Sequence, residues 1–275
     1  MAPQITAREY KLMLNHRWFQ DASSAVDSFW EEVSKLADSL GFGTKGQLTL
    51  NKKTSRTVVF LDTVDFSLHR AGYVLRQRID GDDVELTLKS MSPDPYIASA
   101  SNVDAAVNLK SSFKFEEDIG APWRSRFSIS TTVELSKSDA LSESDATLAD
   151  AAKIFPTLAA VTRDRVRLHP ELRLQPVNAL HAYETLYEDA KLVFIDGPIE
   201  QKSSAALILW ASSKKGRPLV AEFSFRIKRS DNGFQPVHCR QAKEFFEALQ
   251  IMDWHLPSGL TKTQYAYRNR HAQES

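Results

Sequence analysis

The chain has 275 residues, a mass of 31.0 kDa, and 42% hydrophobic and 25% charged residues, so it can bury a full core as one large domain or two small ones. Its 35 basic and 35 acidic residues cancel, which disfavours a polycation that coats nucleic acid or anionic lipid and makes any anion site a local one. The single cysteine, Cys239, excludes an internal disulfide and a multi-thiolate metal site.

The apolar runs of the sequence fall far short of the roughly 20 residues that a membrane helix needs. Its start, MAPQITAREYKLML, has no basic stretch followed by a long apolar run, the pattern of a targeting segment. We therefore expect a cytoplasmic protein with neither nucleic acid nor a membrane as its partner.

Helical spacing and alternating polarity together predict a strand-dominated chain with three helices. In chain order the predicted elements are the strand Glu9–Leu14, a helix from Ser23 or Ser24 to Gly41, the strands Thr57–Leu61, Val74–Ile79, Val84–Lys89, Phe113–Ile119 and Phe127–Leu135, a helix from Ser142 to Phe155, the strands Arg163–Leu168, Lys191–Ile195, Ala206–Ala211 and Val220–Lys228, and a helix from Gln241 to Gln250.

The segment Ser90–Ser112 is rich in Ser, Pro and Ala and has no sustained period, which predicts a long excursion or lid. No internal repeat and no clean linker divides the chain. We therefore predict one α+β domain over residues 1–275, an antiparallel sheet or barrel with helices outside it and a C-terminal helical segment near 239–275.

Several familiar catalytic patterns are excluded. The stretch GFGTKG at Gly41–Gly46 has the glycine spacing of a dinucleotide loop, but a helix precedes it where that loop needs a strand, so it predicts a helix stop. The seven histidines are scattered, without the one-turn spacing of a zinc protease. With neither a serine nucleophile elbow nor a Gly-Lys-Ser/Thr phosphate loop, acyl transfer and the common nucleotide-loop mechanisms have no support.

Charged residues recur on one face of the predicted strands, as where Arg76 and Arg78 flank Gln77, because residues two apart share a face. For a single strand, a solvated face is the ordinary explanation. The combined set, however, has more cations than carboxylates in a neutral chain. The cations are Lys11, Arg76, Arg78, Lys89, Lys114, Arg163, Arg165 and Arg226, and the carboxylates are Glu9, Glu85, Glu116, Asp118 and Glu222.

If the sheet closes, this charged face becomes a lumen, where cations repel one another unless a polyanion or interleaved carboxylates offset them. Arginine binds phosphate oxygens in pairs through its planar fork, and lysine supplies a point charge. A row of both indicates a chain of phosphates.

Six motifs, in this order along most of the chain, resemble the CYTH superfamily of triphosphate tunnel metalloenzymes. They are AREYK with Glu9 and Lys11, FLDT followed by LHRAGYVLRQR, LTLKS with Lys89, the strand carrying Lys114, Glu116 and Asp118, TRDRVRL, and AEFSFRI. The Arg-x-Arg stretch with its preceding Asp-Thr is the most specific of them. The superfamily includes inorganic triphosphatases, thiamine triphosphatases and class IV adenylate cyclases.

The resemblance implies a closed antiparallel eight-stranded barrel that binds a small triphosphate-containing molecule and hydrolyses it with Mg²⁺ or Mn²⁺, ions that carboxylate oxygens bind well. The implied phosphate-binding residues are Lys11, Arg76, Arg78, Lys89, Lys114, Arg163 and Arg165. The implied metal-binding residues are Glu9, Glu116, Asp118, Asp196 and Glu222, of which Glu116 and Asp118, with Lys11, are the implied catalytic residues. For Asp196, a turn aspartate before a glycine is an equal alternative.

Two departures from the family pattern leave a second function open. Ala7 stands where the family has its first glutamate, and the last strand reads Glu222, Ser224, Arg226 where further glutamates are expected. Each change removes a metal-facing charge, and Arg226 adds a cation. A protein that binds polyphosphate or a nucleotide without cleaving it is therefore the alternative to a triphosphatase, with adenylate cyclase and a structural β-protein as lesser ones. The sequence does not identify the physiological substrate or the oligomeric state.

Overall fold

The computed structural model describes residues 4–163 and 166–268. Its strands are β1 (Ala7–Leu14), β2 (Gly43–Lys45), β3 (Thr49–Asp62), β4 (Tyr73–Asp80), β5 (Asp83–Ser92), β6 (Ser111–Gly120), β7 (Arg124–Ser136), β8 (Thr162–Arg163), β9 (Val166–Arg167), β10 (Gln175–Glu188), β11 (Lys191–Asp196), β12 (Ile199–Ala211) and β13 (Pro218–Lys228). Its α-helices are α1 (Ala22–Ser39), α2 (Ser67–Arg70), α3 (Pro95–Ala100), α4 (Leu148–Ile154), α5 (Pro236–Leu249) and α6 (Lys262–Arg268), and short 3₁₀ helices occupy His16–Phe19 and Pro156–Ala160.

Nine of the described strands form a closed barrel. They follow one another in the order β10, β3, β4, β5, β7, β6, β1, β13 and β12, and β10 pairs with β12 to complete the ring. The barrel is mixed, because β1 and β6 run parallel. The prediction of eight antiparallel strands is therefore wrong in both number and direction, although the predicted closed barrel with helices around it is confirmed.

The outer wall of the barrel is apolar on two sides, as strand alternation requires. On one side the ring of Tyr10 stacks on that of Phe225 with centroids 4.5 Å apart, and both belong to a buried cluster that α1 and α5 cover. On the other side Leu86 and Leu88 lie in a second buried cluster that α3 and α4 cover. Full burial of each such side chain contributes about 1.5 to 3 kcal/mol, so these two clusters hold the helices on the barrel.

A third apolar cluster fills one end of the barrel interior. Val58, Phe60 and Trp210 project inward there, and α6 inserts Tyr267 among them. The hydroxyl of Tyr267 donates to the buried carboxylate of Asp62 over 3.0 Å. The C-terminal helix therefore closes this end, and the charged residues occupy the remaining length of the interior.

The predicted helix boundaries are partly wrong at the N-terminal ends of the helices. Asp21 precedes α1, ahead of the predicted Ser23 or Ser24, whereas Gly41 follows the helix with a left-handed φ of +77° as its stop. The second helix begins after Thr147, whose side chain forms a capping box with Asp150, and not at Ser142. α5 starts five residues before the predicted Gln241, with proline in its first turn.

Two strands are absent from the sequence prediction. β2 is only three residues long and pairs with β11 outside the ring. β10 interrupts its own alternation, since its register shifts between Pro176 and His181, where Asn178 and Ala179 adopt left-handed φ angles of 52°. A bulge of this kind hides the period-two pattern on which strand prediction depends.

Two predicted segments have a different structure. The excursion at Ser90–Ser112 consists of the end of β5, α3 with its buried Ala98, a connection with its buried Val103, and the start of β6, and both buried residues pack in the second cluster on the outer wall. The predicted strand Arg163–Leu168 is a separate hairpin of β8 and β9 that is not part of the barrel. Within the described ranges, no helix combines the length and apolar character needed to cross a membrane.

Candidate functional site

The interior face of the barrel brings charged residues from seven strands into two ion-pair networks. The first network has carboxylates and cations in equal number and consists of Glu9, Lys11, Lys89, Glu116, Asp118 and Arg226. The second network consists of Arg56, Arg78, Glu85 and Glu184.

The first network follows directly from strand register. Glu9 on β1 lies opposite Arg226 on β13 and opposite Asp118 on β6. The ammonium nitrogen of Lys11 is 3.0 Å from Glu9 Oε2 and 2.9 Å from Asp118 Oδ1, and that of Lys89 is 2.8 Å from Asp118 Oδ2. Each carboxylate oxygen of Asp118 therefore already contacts a lysine.

These contacts fix the ionised forms of the network. Burial alone would raise the pKa of Glu9, but Lys11 and Arg226 outweigh it and bring the pKa down to about 2. Burial also opposes the charge of Asp118, whose pKa is nevertheless held well below its usual range by Lys11 and Lys89. The pKa of Lys11 is raised well above its ordinary value because Asp118 and Glu9 outweigh its burial. All three are thus charged at neutral pH.

The second network is centred on Glu184, a fully buried carboxylate on β10. Arg56 Nε lies 2.8 Å from its Oε1, Arg78 Nε lies 3.5 Å from the same atom, and the indole of Trp210 donates to Oε2 over 2.9 Å. Burial would raise the pKa of Glu184, but the charges of Arg78, Lys262 and Arg56 hold it well below its usual range.

Arg76 differs from the other interior cations of the described chain because it has no carboxylate within ion-pair distance. Its Nη2 donates weakly to Thr87 Oγ1 over 3.4 Å, and its buried Nε has no hydrogen-bond acceptor among the described residues. Burial lowers the pKa of Arg76, the neighbouring charge of Arg78 lowers it further, and the result is about 9. The buried Nε atoms of Arg78 and Arg226 also have no hydrogen-bond acceptor within the described ranges.

The balance of charge in the interior is closer to neutral than the sequence predicts. The described interior cations are Lys11, Arg56, Arg76, Arg78, Lys89, Arg226 and Lys262, and the carboxylates are Glu9, Glu85, Glu116, Asp118, Glu184 and Glu222. The cations exceed the carboxylates by one, so interleaved carboxylates offset most of the repulsion.

Some predicted site residues lie elsewhere. Asp196 is exposed at the end of β11, a strand outside the ring, where it lies opposite Ile199. Lys114 is exposed on β6. Arg163 belongs to the separate β8–β9 hairpin, while its side chain and the whole of Arg165 lie outside the described residues. Their implied roles stay predictions.

Glu222 is buried in the interior and contacts a cation that comes from the C-terminal helix. Its Oε1 is 2.7 Å from the ammonium nitrogen of Lys262 on α6. Lys262 therefore connects α6, the plug that closes one end of the barrel, to the charged part of the interior.

The sequence prediction omitted two central residues, Arg56 and Glu184. Arg56 follows a polar stretch, NKKTS, that resembles a loop, and Glu184 lies on the strand whose bulge conceals it. The one available signal is the sequence AYETLY, where Glu184 stands between Tyr183, one position before it, and Tyr187, three positions after it. A carboxylate in that setting is buried only when paired.

The aspartate of the FLDT motif has a structural role at the rim of the plug. Asp62 accepts hydrogen bonds from the backbone nitrogens of Thr63, Leu68 and His69 over 2.7 to 2.9 Å, in addition to the Tyr267 hydroxyl. It thereby holds the turn between β3 and β4, which sets the start of the strand that carries Arg76.

The predicted divalent metal does not fit the side chains as they are arranged. No group of three or more His, Cys, Asp or Glu side chains within residues 4–163 and 166–268 is placed to hold a metal ion. Glu9, Glu116, Asp118 and Glu222 instead each contact a lysine or an arginine. A metal ion needs those oxygens as ligands.

Comparisons with known proteins give likenesses in structure alone. No family model and no curated protein matches the chain. A candidate adenylate cyclase from Bacillus halodurans aligns with 96% of this chain and 98% of its own at 17% identity and a TM-score of 0.40. A candidate adenylyl cyclase from Hippeastrum, described as having a dominant triphosphatase activity, aligns with 96% of this chain and 95% of its own at 14% identity and a TM-score of 0.40. The closed barrel with its charged interior fits the CYTH tunnel that the sequence motifs resemble.

Proposed function

We propose that the protein binds a short phosphate chain, such as triphosphate, inside the barrel. The observation that carries this proposal is that Arg76, Arg78 and Arg226 each keep a buried Nε without a hydrogen-bond acceptor among the described residues. Leaving a buried donor unpaired costs about 1 to 3 kcal/mol, and more when the group is charged. Phosphate oxygens supply charged acceptors in pairs, the geometry that a guanidinium fork matches.

Arg76 has the leading part in the proposed binding. A phosphate that reaches Arg76 does not have to displace a carboxylate of the described residues. It therefore interacts with the full positive charge of Arg76. Arg78 adds a second fork from the same strand, and Lys11 and Lys89 add point charges from β1 and β5. Because α6 fills one end of the barrel, the ligand would enter from the other end.

Isothermal titration calorimetry with tripolyphosphate in a chelating buffer tests the proposal. We expect saturable binding by the wild type and at least a tenfold loss for Arg76→Met, since a charged hydrogen bond contributes about 1.5 to 3 kcal/mol. Arg124→Met is the matched control, because Arg124 is an exposed arginine at the start of β7. Equal affinity of the Arg76 and Arg124 variants would reject the interior as the binding site.

Hydrolysis of the bound chain with Mg²⁺ or Mn²⁺ is the second candidate function. It is favoured by the convergence of Glu9, Glu116 and Asp118 in one network, with ionised forms of Glu9 and Asp118. It requires these carboxylates to leave their present cation partners. Phosphate release from tripolyphosphate, measured with Mg²⁺, with Mn²⁺ and with chelator, tests it. Tight binding without metal-dependent release would leave binding as the function.

A further inference from the structure

Arg226 occupies the space between the carboxylates of the first network. Its Nη2 is 3.2 Å from Glu9 Oε1, and its Nε is 3.4 Å from Glu116 Oε1. The first contact is a hydrogen bond, whereas the second is an ion pair without hydrogen-bond geometry. One guanidinium thus links carboxylates from two different strands, β1 and β6.

The position of Arg226 is set by the barrel itself. Register places Arg226 directly opposite Glu9, and Glu9 opposite Asp118, so the three side chains leave neighbouring strands toward the same interior. Glu9 and Glu116 raise the pKa of Arg226 against the effect of its burial. The guanidinium is therefore a permanent cation in this network.

A permanent cation at this position competes with a divalent ion for the same ligands. A metal ion would need lone pairs of Glu9 and Glu116 that face Arg226, and it would bring two further positive charges next to Arg226 and Lys11. The charges of the network already cancel, since Glu9, Glu116 and Asp118 stand against Arg226, Lys11 and Lys89.

We propose that the guanidinium of Arg226 takes the place of a divalent metal ion between the carboxylates of the first network, so that the protein binds its phosphate ligand without metal. The Nε of Arg226 has no hydrogen-bond acceptor among the described residues, so it would donate to a phosphate oxygen and supply the charge neutralisation that a metal ion would otherwise supply. The ligand part of this inference rests on the proposed function, whereas the exclusion of metal does not.

Manganese titration without any phosphate tests the exclusion of metal. The electron paramagnetic resonance signal of free Mn²⁺ is measured against protein for the wild type, Arg226→Ala, Arg226→Lys and Lys228→Ala. We expect Arg226→Ala to bind Mn²⁺ at least tenfold more tightly than the wild type, because Glu116 Oε1 and Glu9 Oε1 then lose the cation between them, while Lys11 still contacts only Glu9 Oε2. Arg226→Lys keeps the charge, and Lys228 is exposed two residues along the same strand, so both should behave as the wild type does.

Stoichiometric Mn²⁺ binding by the wild type would overturn the proposal, and so would an Arg226→Ala protein that is folded by circular dichroism yet binds Mn²⁺ no better than the wild type. If Arg226→Ala fails to fold, the Mn²⁺ titration of the wild type still decides whether the interior excludes metal.

Tripolyphosphate calorimetry tests the second part of the inference, that Arg226 contacts the phosphate ligand. We expect Arg226→Ala to bind about tenfold more weakly in chelator and to recover with Mn²⁺, and loss of affinity that Mn²⁺ does not restore counts against Arg226 as a substitute for metal.

Discussion

Replacing Arg76 with methionine should make the ligand-free protein more stable and at the same time weaken its binding of triphosphate. At neutral pH Arg76 is charged, its Nε is buried, and it has no carboxylate partner among the described residues. The folded protein therefore bears a cost that the unfolded chain does not. Methionine keeps much of the apolar stem and removes the charge.

The size of this effect follows from the pKa. The pKa of Arg76 falls from the ordinary arginine value to about 9, and at about 1.4 kcal/mol for each pKa unit this fall sets a ceiling of about 5 kcal/mol. Arg76 is only partly buried, and the shorter methionine side chain packs less well than the arginine stem. We therefore expect the free energy of unfolding to rise by about 1 to 2 kcal/mol. The sign is consistent with linkage, since the unfolded chain holds its proton up to a higher pH than the folded protein does.

Urea unfolding at pH 7, followed by far-ultraviolet circular dichroism, measures this gain. A thermal scan should show an increase in Tm of a few degrees, since 1 kcal/mol corresponds to about 2 to 4 °C in a domain of this size. Addition of tripolyphosphate should then raise the Tm of the wild type clearly and that of Arg76→Met hardly at all.

Arg78→Met is the matched comparison, since Arg78 lies two residues away on the same strand but pairs with Glu184 and Glu85. Removing Arg78 leaves the buried carboxylate of Glu184 with one cation fewer, so we expect the free energy of unfolding to fall by about 1 to 2 kcal/mol. Opposite signs of the two stability changes are the distinguishing result. If Arg76→Met is destabilised as much as Arg78→Met, then Arg76 is not an uncompensated cation and the reasoning fails.

Three further predictions concern the elements around the site. Lowering the pH from about 4.5 toward 2 should remove up to about 3 kcal/mol of stability, since the depressed pKa of Glu9 stabilises the fold only above that range, and Glu9→Gln should flatten this part of the urea-unfolding profile. Asp62→Ala should cost about 2 to 4 kcal/mol in the same assay, because its four donors lose their acceptor. Gly46→Ala should cost about 1 to 3 kcal/mol in Tm-derived stability, since φ is +73° and a Cβ would lie 2.8 Å from the carbonyl oxygen of Asp189.

The alternation of polarity was sufficient to predict most of the barrel wall. Glu9 and Lys11, or Arg76 and Arg78, stand two apart in runs whose intervening residues are apolar or buried, and the structure places all four on the interior face. What the pattern does not contain is the closure of the ring. That closure depends on β10, whose bulge at Asn178 breaks the period, and on the pairing of β10 with β12.

The sequence pattern also does not predict ion pairs between residues from distant parts of the chain. Arg56 and Glu184 are 128 residues apart, and Lys262 contacts Glu222 from a short helix that only tertiary packing holds in place. Such pairs depend on register around a closed sheet, which a single strand does not encode. Of the metal set implied by the family resemblance, Glu9, Glu116 and Asp118 lie in one network, whereas Asp196 lies at the end of β11, outside the ring.

Because cations and carboxylates nearly balance in the barrel interior, an anion is not needed there to neutralise excess positive charge. In a lumen of unpaired cations, a phosphate chain would be needed simply to relieve repulsion. Here Lys11 and Lys89 already hold Asp118, so the barrel is electrostatically satisfied along most of its interior without a ligand. A ligand gains affinity only where its oxygens improve on existing contacts. That condition is met most fully at Arg76, so the affinity that we propose for a chain of phosphates would depend on how many oxygens reach Arg76 and its neighbour Arg78 together.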